Sequence, residues 1–206
     1  MGGTRLDAVV MAGGLGTRLK MGEKPMVRLL GQPLIGWVVS ALRASSVERV
    51  FVATTPQVPE TTAWVEGQGI SVVETPGAGY VPDMISAVEG AGIEGPVLIV
   101  MADLPLLRGD ILDGILEAYD DVPEPALSVH APLEIYRRIG AVPDALFNYR
   151  GRLIVPSGVN VLLGSAIRSE QEDYHLILDK PEVAVNVNSP EDLTICEAIL
   201  RGDLLI

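Results

Sequence analysis

Residues 6–18 of the chain are LDAVVMAGGLGTR, an apolar run that predicts a β-strand and passes directly into a glycine-rich loop. Three glycines within four positions let the backbone turn sharply and approach a ligand, because no Cβ atom intervenes. Successive backbone N–H groups in such a turn form a cradle for an anion, and the two cations that follow can neutralise phosphate charge. We therefore expect a triphosphate-binding loop formed by Ala12, Gly13, Gly14, Gly16, Thr17, Arg18 and Lys24.

Two better-known phosphate loops do not fit this spacing. A Walker loop requires glycine, four further residues and then Gly-Lys-Ser/Thr, and no such run occurs in the sequence. A dinucleotide fingerprint requires Gly-x-Gly-x-x-Gly, but Leu19 occupies the third glycine position after Gly14 and Gly16. A plain glycine-rich turn after a strand stays open as the alternative.

Composition narrows the class of protein. At 206 residues, 48% of them hydrophobic, the chain is long enough for one domain with a substantial core. No apolar run reaches the roughly 18 residues that span a bilayer, and the N-terminus lacks the pattern of a signal peptide. Cys196 is the single cysteine, which excludes an internal disulfide and is expected to be a buried small hydrophobe. We expect a cytoplasmic enzyme without membrane insertion.

The charge balance argues against a nucleic-acid partner. The formal net charge is −12, whereas nucleic acids and membrane surfaces require a basic face. Of the 15 basic residues, five lie in the first 28 positions, namely Arg5, Arg18, Lys20, Lys24 and Arg28. An acidic protein that binds polyphosphate must gather positive charge locally, and the glycine-rich loop is where the charge gathers. The alternative for Arg5 and Lys20 is that they are ordinary surface residues.

Strand and helix patterns alternate through the first 120 residues. Apolar residues at helical spacing follow Pro33, and apolar or β-branched runs predict further strands at 49–53, 70–74 and 96–101. Helices are expected between these strands and after the last of them. This succession predicts parallel strands joined by right-handed crossovers. We expect an α/β fold: a Rossmann-like, mixed, mostly parallel sheet flanked by helices in three αβα layers.

The regular alternation of predicted strands and helices ends after about residue 122. Shorter β-like runs follow, at 126–130, 153–155, 159–163, 176–178 and 183–187. The segment 132–152 is irregular and is expected to form a lid or an acceptor-binding region. Ser189, Pro190 and Asp192 are expected to open the last helix with a cap. We expect a single domain, 1–206, in which residues 1–122 bind a nucleotide and residues 123–206 bind the acceptor.

Candidate catalytic groups cluster at the predicted carboxyl edge of the sheet. Asp103 follows the strand at 96–101, where it could hold Mg²⁺, since this ion prefers one or two carboxylates plus phosphate oxygens and water. The alternative is that Asp103 caps the following turn. Asn186 and Asn188 would lie on one face of a strand and complete the metal or phosphate shell, unless they form local turns.

Other positions border the expected ligand less directly. Gly158 enters a strand, where glycine often marks a close approach of the backbone to a ligand, although an ordinary turn is the alternative. Thr75 and Gly79 follow the strand at 70–74 and are expected to border a nucleobase. His130 and His175 lack the spacing of metal ligands, and no nucleophile motif for covalent catalysis is present.

Taken together, these motifs resemble the nucleotidyltransferase superfamily, which also contains the molybdenum-cofactor guanylyltransferases. The resemblance spans nearly the whole chain and rests on four segments, residues 13–18, 24–25, 102–103 and 186–192. Within that superfamily, further segments resemble the archaeal GTP:adenosylcobinamide-phosphate guanylyltransferases, namely residues 31–35, 53–59, 77–80 and 155–161.

This resemblance implies a nucleotide-diphospho-sugar transferase-like fold and a reaction in cobalamin biosynthesis. GMP would pass from GTP to adenosylcobinamide phosphate, a corrinoid, with release of pyrophosphate. It implies a GTP site formed by Gly13, Gly14, Gly16, Arg18, Lys24 and Gly158, and it assigns the metal aspartate to Asp103. Two alternatives stay open: a nucleotidyltransferase acting on molybdopterin or a sugar phosphate, and a non-catalytic GTP-binding module. Apolar segments near the C-terminus would permit a homodimer.

Overall fold

Ten strands and six α-helices make up the part of the chain described by this computed structural model, residues 6–17 and 19–204. The strands are β1 (Asp7–Met11), β2 (Arg28–Leu29), β3 (Gln32–Pro33), β4 (Val50–Thr54), β5 (Ser71–Glu74), β6 (Pro96–Met101), β7 (Ala126–Pro132), β8 (Phe147–Tyr149), β9 (Arg152–Leu163) and β10 (Asp173–Ile177). The helices are α1 (Leu34–Arg43), α2 (Pro59–Gly67), α3 (Tyr80–Gly90), α4 (Gly109–Asp120), α5 (Leu133–Ile139) and α6 (Pro190–Arg201).

Eight of these strands form one mixed sheet, in the order β10-β7-β9-β6-β1-β4-β5, with β8 paired to β9. The strands β6, β1, β4 and β5 are mutually parallel. Strand β9 runs antiparallel to both β6 and β7, whereas β10 is parallel to β7. The predicted mixed, mostly parallel sheet is therefore confirmed.

The two faces of the sheet carry unequal helical layers. The larger apolar core contains residues of α1, α2, α4, α5 and α6, together with Val10 of the central strand. The smaller core contains Ala87 and Val88 of α3, packed against Val9 and Ile99. Helix α3 contacts β1, β4 and β5 and so covers mainly the parallel side of that face, while Met84 and Ile85 of α3 also belong to the apolar group that contains Leu162 of β9.

The first 120 residues follow the predicted order of strands and helices, with boundaries shifted by one or two residues. The last helix begins as expected. Ser189 Oγ accepts a hydrogen bond from the Asp192 N–H at 3.2 Å, and Asp192 Oδ2 accepts one from the Ser189 N–H at 2.8 Å. These reciprocal bonds satisfy backbone donors that a helix start leaves unpaired.

The segment 132–152 was expected to be irregular, and this expectation was wrong. It contains helix α5 and strand β8. Ile135, Tyr136 and Ile139 of α5 are buried at helical spacing, and Gly140 ends the helix with a φ of 75°. A two-turn helix is marginal by local propensity, so its apolar contacts with β7 and β9 stabilise it.

Three other predictions for the second half also require correction. Strand β9 is one strand of 12 residues, with a register shift where two separate runs were expected. Strand β10 begins three residues before the predicted run at 176–178. The segment 183–187 is not a strand: a 3-10 turn covers Pro181–Val183, and the Val187 N–H donates to the Asp103 carbonyl instead of to a strand partner.

Within the described residues, no helix is long and apolar enough to cross a membrane. The cytoplasmic location, the homodimer and the division into halves at residue 122 stay predictions.

Candidate functional site

The glycine-rich loop is folded back on itself beside strand β1. The Lys24 N–H donates to the Gly14 carbonyl at 3.2 Å, which closes the loop. Gly16 has a φ of 60°, and a Cβ atom there would lie 2.8 Å from Lys24 Cβ. A Cβ atom at Gly13 would lie 2.6 Å from Thr55 Cγ2. Packing therefore excludes a side chain at both positions, and at Gly16 the backbone conformation disfavours one as well.

Strand pairing sets where this loop lies. Strand β1 lies between β4 and β6, and all three end at the same edge of the sheet because they are parallel. The Ala12 N–H donates to the Ala53 carbonyl at 2.9 Å, so the first residue of the loop is bonded to the sheet. The Ala102 N–H donates to the Met11 carbonyl at 3.1 Å, which brings the end of β6 against the loop.

A polar network joins the loop to the end of β6. The Lys24 ammonium donates to Oδ2 of Asp103 and, at 2.5 Å, to Oδ1 of Asn188. Asn186 Nδ2 donates to the other Asp103 oxygen at 3.2 Å. Asn188 Nδ2 donates to Asp144 Oδ2 at 2.6 Å, so the network continues into the segment after α5. Four predicted site residues, Lys24, Asp103, Asn186 and Asn188, are thus brought into direct contact.

This network has a consequence for metal binding. Asp103 is 5% exposed, and both of its carboxylate oxygens accept hydrogen bonds. The described residues contain no group of three acidic, histidine or cysteine side chains that could hold a metal ion. One carboxylate nevertheless suits Mg²⁺ when phosphate oxygens and water supply the other ligands. The Lys24 ammonium, which contacts Asp103 Oδ2, already places a positive charge beside that carboxylate.

One cavity lies between the loop and the ends of β4 and β5; we call it the loop cavity. Its volume is about 360 Å³. Its lining comes from the loop, from the ends of β4, β5 and β6 and from the start of α3: Met11, Gly13, Gly14, Leu15, Ala53, Thr55, Gln57, Thr75, Gly77, Gly79, Tyr80, Asp83 and Met101. Thr75 and Gly79, predicted to border a nucleobase, are both in this lining.

Thr55 is the most informative residue of the loop cavity. It is only 3% exposed, and its Oγ1 atom has no hydrogen-bond partner in the described structure. A buried hydroxyl without a partner is costly unless a ligand or a water molecule supplies one. In contrast, the Thr75 hydroxyl donates to the Thr54 carbonyl at 2.9 Å. Thr55 is therefore a candidate ligand contact of this cavity.

A second cavity lies on the other side of Asp103; we call it the Asp103 cavity. Its volume is about 310 Å³. It is lined by the polar network, by α5 and the segment after it, and by β9: Lys24, Met101, Asp103, Tyr136, Ala141, Val142, Pro143, Asp144, Ala145, Val155, Pro156, Gly158, Ala184, Val185, Asn186, Asn188 and Asp192. Met101, at the end of β6, lines both cavities, which are therefore neighbours.

Gly158 controls the contact between β9 and the end of β6. Its φ is 80°, and a Cβ atom there would lie 2.7 Å from Met101 Cγ and 3.2 Å from Asn186 Nδ2. This glycine lets the bulged strand approach both the residue shared by the two cavities and the polar network.

Two other predicted residues are placed differently. Arg18 lies outside the described residues. Thr17 is exposed and lines neither of the two cavities. The binding roles of both residues, and that of the buried Ala12, stay predictions.

Several residues of the site were missed at the level of sequence. Thr55 and Gln57 follow strand β4, so the rule that ligands bind at the carboxyl ends of strands could have found them. Glu23 was also missed. Its carboxylate accepts from the Glu60 and Thr61 N–H groups at 2.8 and 2.6 Å, which caps α2 and anchors the chain beside Lys24.

Burial shifts the pKa of two groups near the network. It raises the pKa of the Tyr136 phenol, so this group stays protonated in the lining of the Asp103 cavity. Burial also raises the pKa of the Cys196 thiol to about 12. Cys196 is 0% exposed, which confirms the prediction of a buried small hydrophobe and leaves no thiolate for catalysis.

Known proteins are similar to this chain in sequence and in fold. The family model of the MobA-like NTP transferase domain matches residues 8–138. Over 210 residues the chain is 33% identical to adenosylcobinamide-phosphate guanylyltransferase of Methanocaldococcus jannaschii, and the alignment covers 96% of this chain and 99% of the relative. The chain belongs to the MobA-like NTP transferase family. Membership of this family identifies it as a nucleotidyltransferase and agrees with the resemblance inferred from its motifs.

Two further similar proteins extend the comparison, one in sequence and one in fold. A probable molybdenum cofactor guanylyltransferase of Trichormus variabilis is 31% identical over 217 residues, covering 96% of this chain and 91% of the relative. Among solved structures, a CMP:2-keto-3-deoxy-manno-octonic acid synthetase complexed with CTP superposes with a TM-score of 0.71 at 15% identity. That superposition covers 98% of this chain and 100% of the other, and it shows that this MobA-like chain has the nucleotidyltransferase fold.

Proposed function

We propose that this chain transfers GMP from GTP to adenosylcobinamide phosphate, a step of cobalamin biosynthesis. An oxygen of the acceptor phosphate attacks the α-phosphorus of GTP, and the bond from that phosphorus to the bridging oxygen of the pyrophosphate breaks. The products are adenosylcobinamide-GDP and pyrophosphate. Because the acceptor phosphate is already an anion, the reaction requires no strong general base.

The observation that carries this proposal is that two neighbouring cavities share Met101, two positions before Asp103. The loop cavity has the backbone donors and the buried Thr55 hydroxyl expected of a site for the nucleoside, and GTP would lie there with its phosphates toward Lys24. The Asp103 cavity opens on the other side of Met101 and would receive the acceptor phosphate. Holding two phosphates on either side of one polar network supplies the positioning on which phosphoryl transfer largely depends.

The charged residues have separate roles in this proposal. Lys24, with the predicted contribution of Arg18, would neutralise the triphosphate and the charge that develops on the leaving pyrophosphate. Asp103 would hold Mg²⁺, which when bound to phosphate oxygens lowers the charge repulsion between the two substrates. Asn186 and Asn188 would orient the Asp103 carboxylate and the Lys24 ammonium through the hydrogen bonds described above. The reaction thus rests on orientation and charge neutralisation.

The test is pyrophosphate release from a panel of nucleotides and acceptors. GTP with adenosylcobinamide phosphate and Mg²⁺ is expected to give the highest rate, and mass spectrometry should detect adenosylcobinamide-GDP. If the enzyme releases pyrophosphate with none of the corrinoid phosphates, under conditions in which GTP binds, the proposal is refuted.

A second candidate acceptor is molybdopterin. It is favoured by the 31% identity, across 96% of the chain, to a probable molybdenum cofactor guanylyltransferase. The same panel separates the two functions when molybdopterin and a sugar phosphate are included, because only the productive acceptor releases pyrophosphate at a substantial rate.

A further inference from the structure

A third cavity lies beside β10, the edge strand of the sheet; we call it the hairpin cavity, since the β8–β9 hairpin forms one wall. Its volume is about 520 Å³, larger than either cavity described above. The hairpin, strand β10 and the segment before β7 line it: Glu124, Tyr149, Arg150, Arg152, Asp173, Tyr174, His175, Leu176 and Ile177. None of these residues belongs to the polar network at Asp103.

Two polar atoms in this lining are buried and lack hydrogen-bond partners. They are Glu124 Oε2 and His175 Nδ1, and only two other side-chain atoms in the described residues share this property. One of those two belongs to Thr55, in the lining of the loop cavity. Because buried polar groups are nearly always paired, such atoms mark positions where a ligand or water completes the site. Two such atoms line the hairpin cavity.

The rest of the lining combines aromatic rings with two arginines and with Asp173, whose Oδ2 lies 3.8 Å from His175 Nδ1, beyond hydrogen-bond distance. The Tyr149 and His175 rings have centroids 4.6 Å apart, and His175 lies 4.9 Å from the ring of the buried His130. The Arg150 guanidinium stands 5.0 Å from the centroid of Tyr149. Arg150 and Arg152 bring donors for carbonyl oxygens, while Glu124 offers an acceptor for an N–H group. The lining therefore suits a ligand that has a broad apolar body and several amide groups.

Continuity with the Asp103 cavity limits which ligand this is. Arg152 lines the hairpin cavity and Pro156 lines the Asp103 cavity, and they lie on the same face of β9, four positions or about 13 Å of extended chain apart. Phe147, which pairs with Ile154 between these two residues and lies on the same face, is 54% exposed. Val142, in the Asp103 cavity, is 84% exposed. An apolar surface thus connects the two cavities.

We propose that the hairpin cavity binds the amide-bearing rim of the corrinoid acceptor while the acceptor phosphate lies in the Asp103 cavity. This inference rests on the proposed function, because a corrinoid is the acceptor it names. Corrinoids combine a wide apolar macrocycle with peripheral primary amides, whose N–H groups would pair with Glu124 and whose carbonyl oxygens would pair with the two arginines. The exposed apolar side chains of the hairpin would lie against the macrocycle.

The test compares Glu124→Ala and His175→Ala with the wild-type enzyme. The KM for adenosylcobinamide phosphate is expected to rise about tenfold in each variant, as for loss of a hydrogen bond to a buried polar group. The inhibition constant of cobinamide, which lacks the phosphate, should rise in parallel, whereas the Kd for GTP should stay within about twofold of wild type. Glu172→Ala is the matched control, because this exposed glutamate precedes β10 but does not line the cavity.

Three other outcomes would overturn the assignment. Unchanged acceptor KM and cobinamide inhibition in both variants would show that the corrinoid binds elsewhere, while the proposed function still holds. A change in oligomeric mass that accompanies the variants, measured by light scattering, would make this face a contact between copies of the chain. No turnover of any corrinoid by the wild type would remove the proposed function itself, and this assignment with it. If Glu124→Ala fails to fold, Glu124→Gln tests the same contact with its shape preserved.

Discussion

The parallel and antiparallel sides of the sheet differ in how their faces are covered. On the parallel side, Val9 and Val10 of β1 are both fully buried because helices pack on each face. Polar groups there are confined to the strand ends, where they form the loop cavity. On the antiparallel side, strand pairing places His175, Tyr149 and Phe147 on one face, where Phe147 is 54% exposed. In the proposed function, the parallel side would hold the nucleotide mainly by its backbone, while the antiparallel side would bind the acceptor by its side chains.

A substitution in the glycine-rich loop is expected to have the largest effect, and this effect is expected to be confined to nucleotide binding. Gly13→Asp would force a side chain against Thr55 Cγ2, 2.6 Å away, and would bring a negative charge to a phosphate cradle. We expect GTP affinity, measured by calorimetry, to fall about 100-fold or more. Gly114→Asp is the matched control, since a Cβ atom in the middle of α4 meets nothing within 4 Å. Near-normal GTP affinity in Gly13→Asp would contradict the placement of the nucleotide on the parallel side of the sheet.

The next effect is expected at the junction of the two sides. Asp103→Asn keeps the shape of the side chain but removes the charge that pairs with Lys24 and would hold Mg²⁺. We expect kcat to fall about 100-fold while GTP affinity changes far less, because the carboxylate acts on the transition state more than on nucleotide binding. Asp110→Asn, at a surface ion pair with Arg108, serves as a control. An unchanged kcat would contradict the assignment of Asp103.

A smaller effect is expected where the antiparallel strand β9 meets the parallel strand β6. In Gly158→Ala, the φ of 80° and the 2.7 Å approach to Met101 Cγ both oppose the new methyl group. We expect a loss of about 2 kcal/mol in the free energy of unfolding, measured with denaturant. Gly151→Ala is the matched control, because Gly151 has a φ of 83° but a Cβ atom there meets no other atom within 4 Å. We expect this variant to lose about 1 kcal/mol in the free energy of unfolding, which measures the backbone strain without the clash. Equal losses in the two variants would show that the contact with Met101 has no energetic weight.

The smallest expected effect concerns Thr55. Thr55→Val preserves the shape and removes a buried hydroxyl that has no partner. GTP affinity should fall about five- to tenfold if the nucleotide pairs with this hydroxyl. The free energy of unfolding should stay the same or rise, because an unpaired polar atom leaves the interior. A loss of stability without a loss of GTP affinity would assign Thr55 to the core instead of to the loop cavity.

Sequence patterns located the loop cavity less completely than the polar network. Lys24 and Asp103 are separated by 79 positions, yet both were singled out because a cation after a glycine-rich loop and a carboxylate after a buried strand are chemically distinctive. Thr55 and Gln57 have common side chains in an unremarkable turn, so nothing in their own chemistry marked them. Their role became visible only when parallel strands brought the end of β4 beside the loop.

By itself, the sequence determined the parallel half of the sheet, its order of strands and helices, and the position of the glycine-rich loop. Alternating apolar runs and helical spacing are local signals, and long buried strands carry them strongly. In the second half, where β7 and the capped start of α6 were predicted, only the tertiary structure decided that α5 forms within 132–152 and that residues 183–187 are not a strand despite three valines. Short elements are too weak to be set by local propensity, so their conformation follows the contacts that distant segments provide. The hairpin cavity arises for the same reason, since β8, β9 and β10 meet only when the sheet has formed.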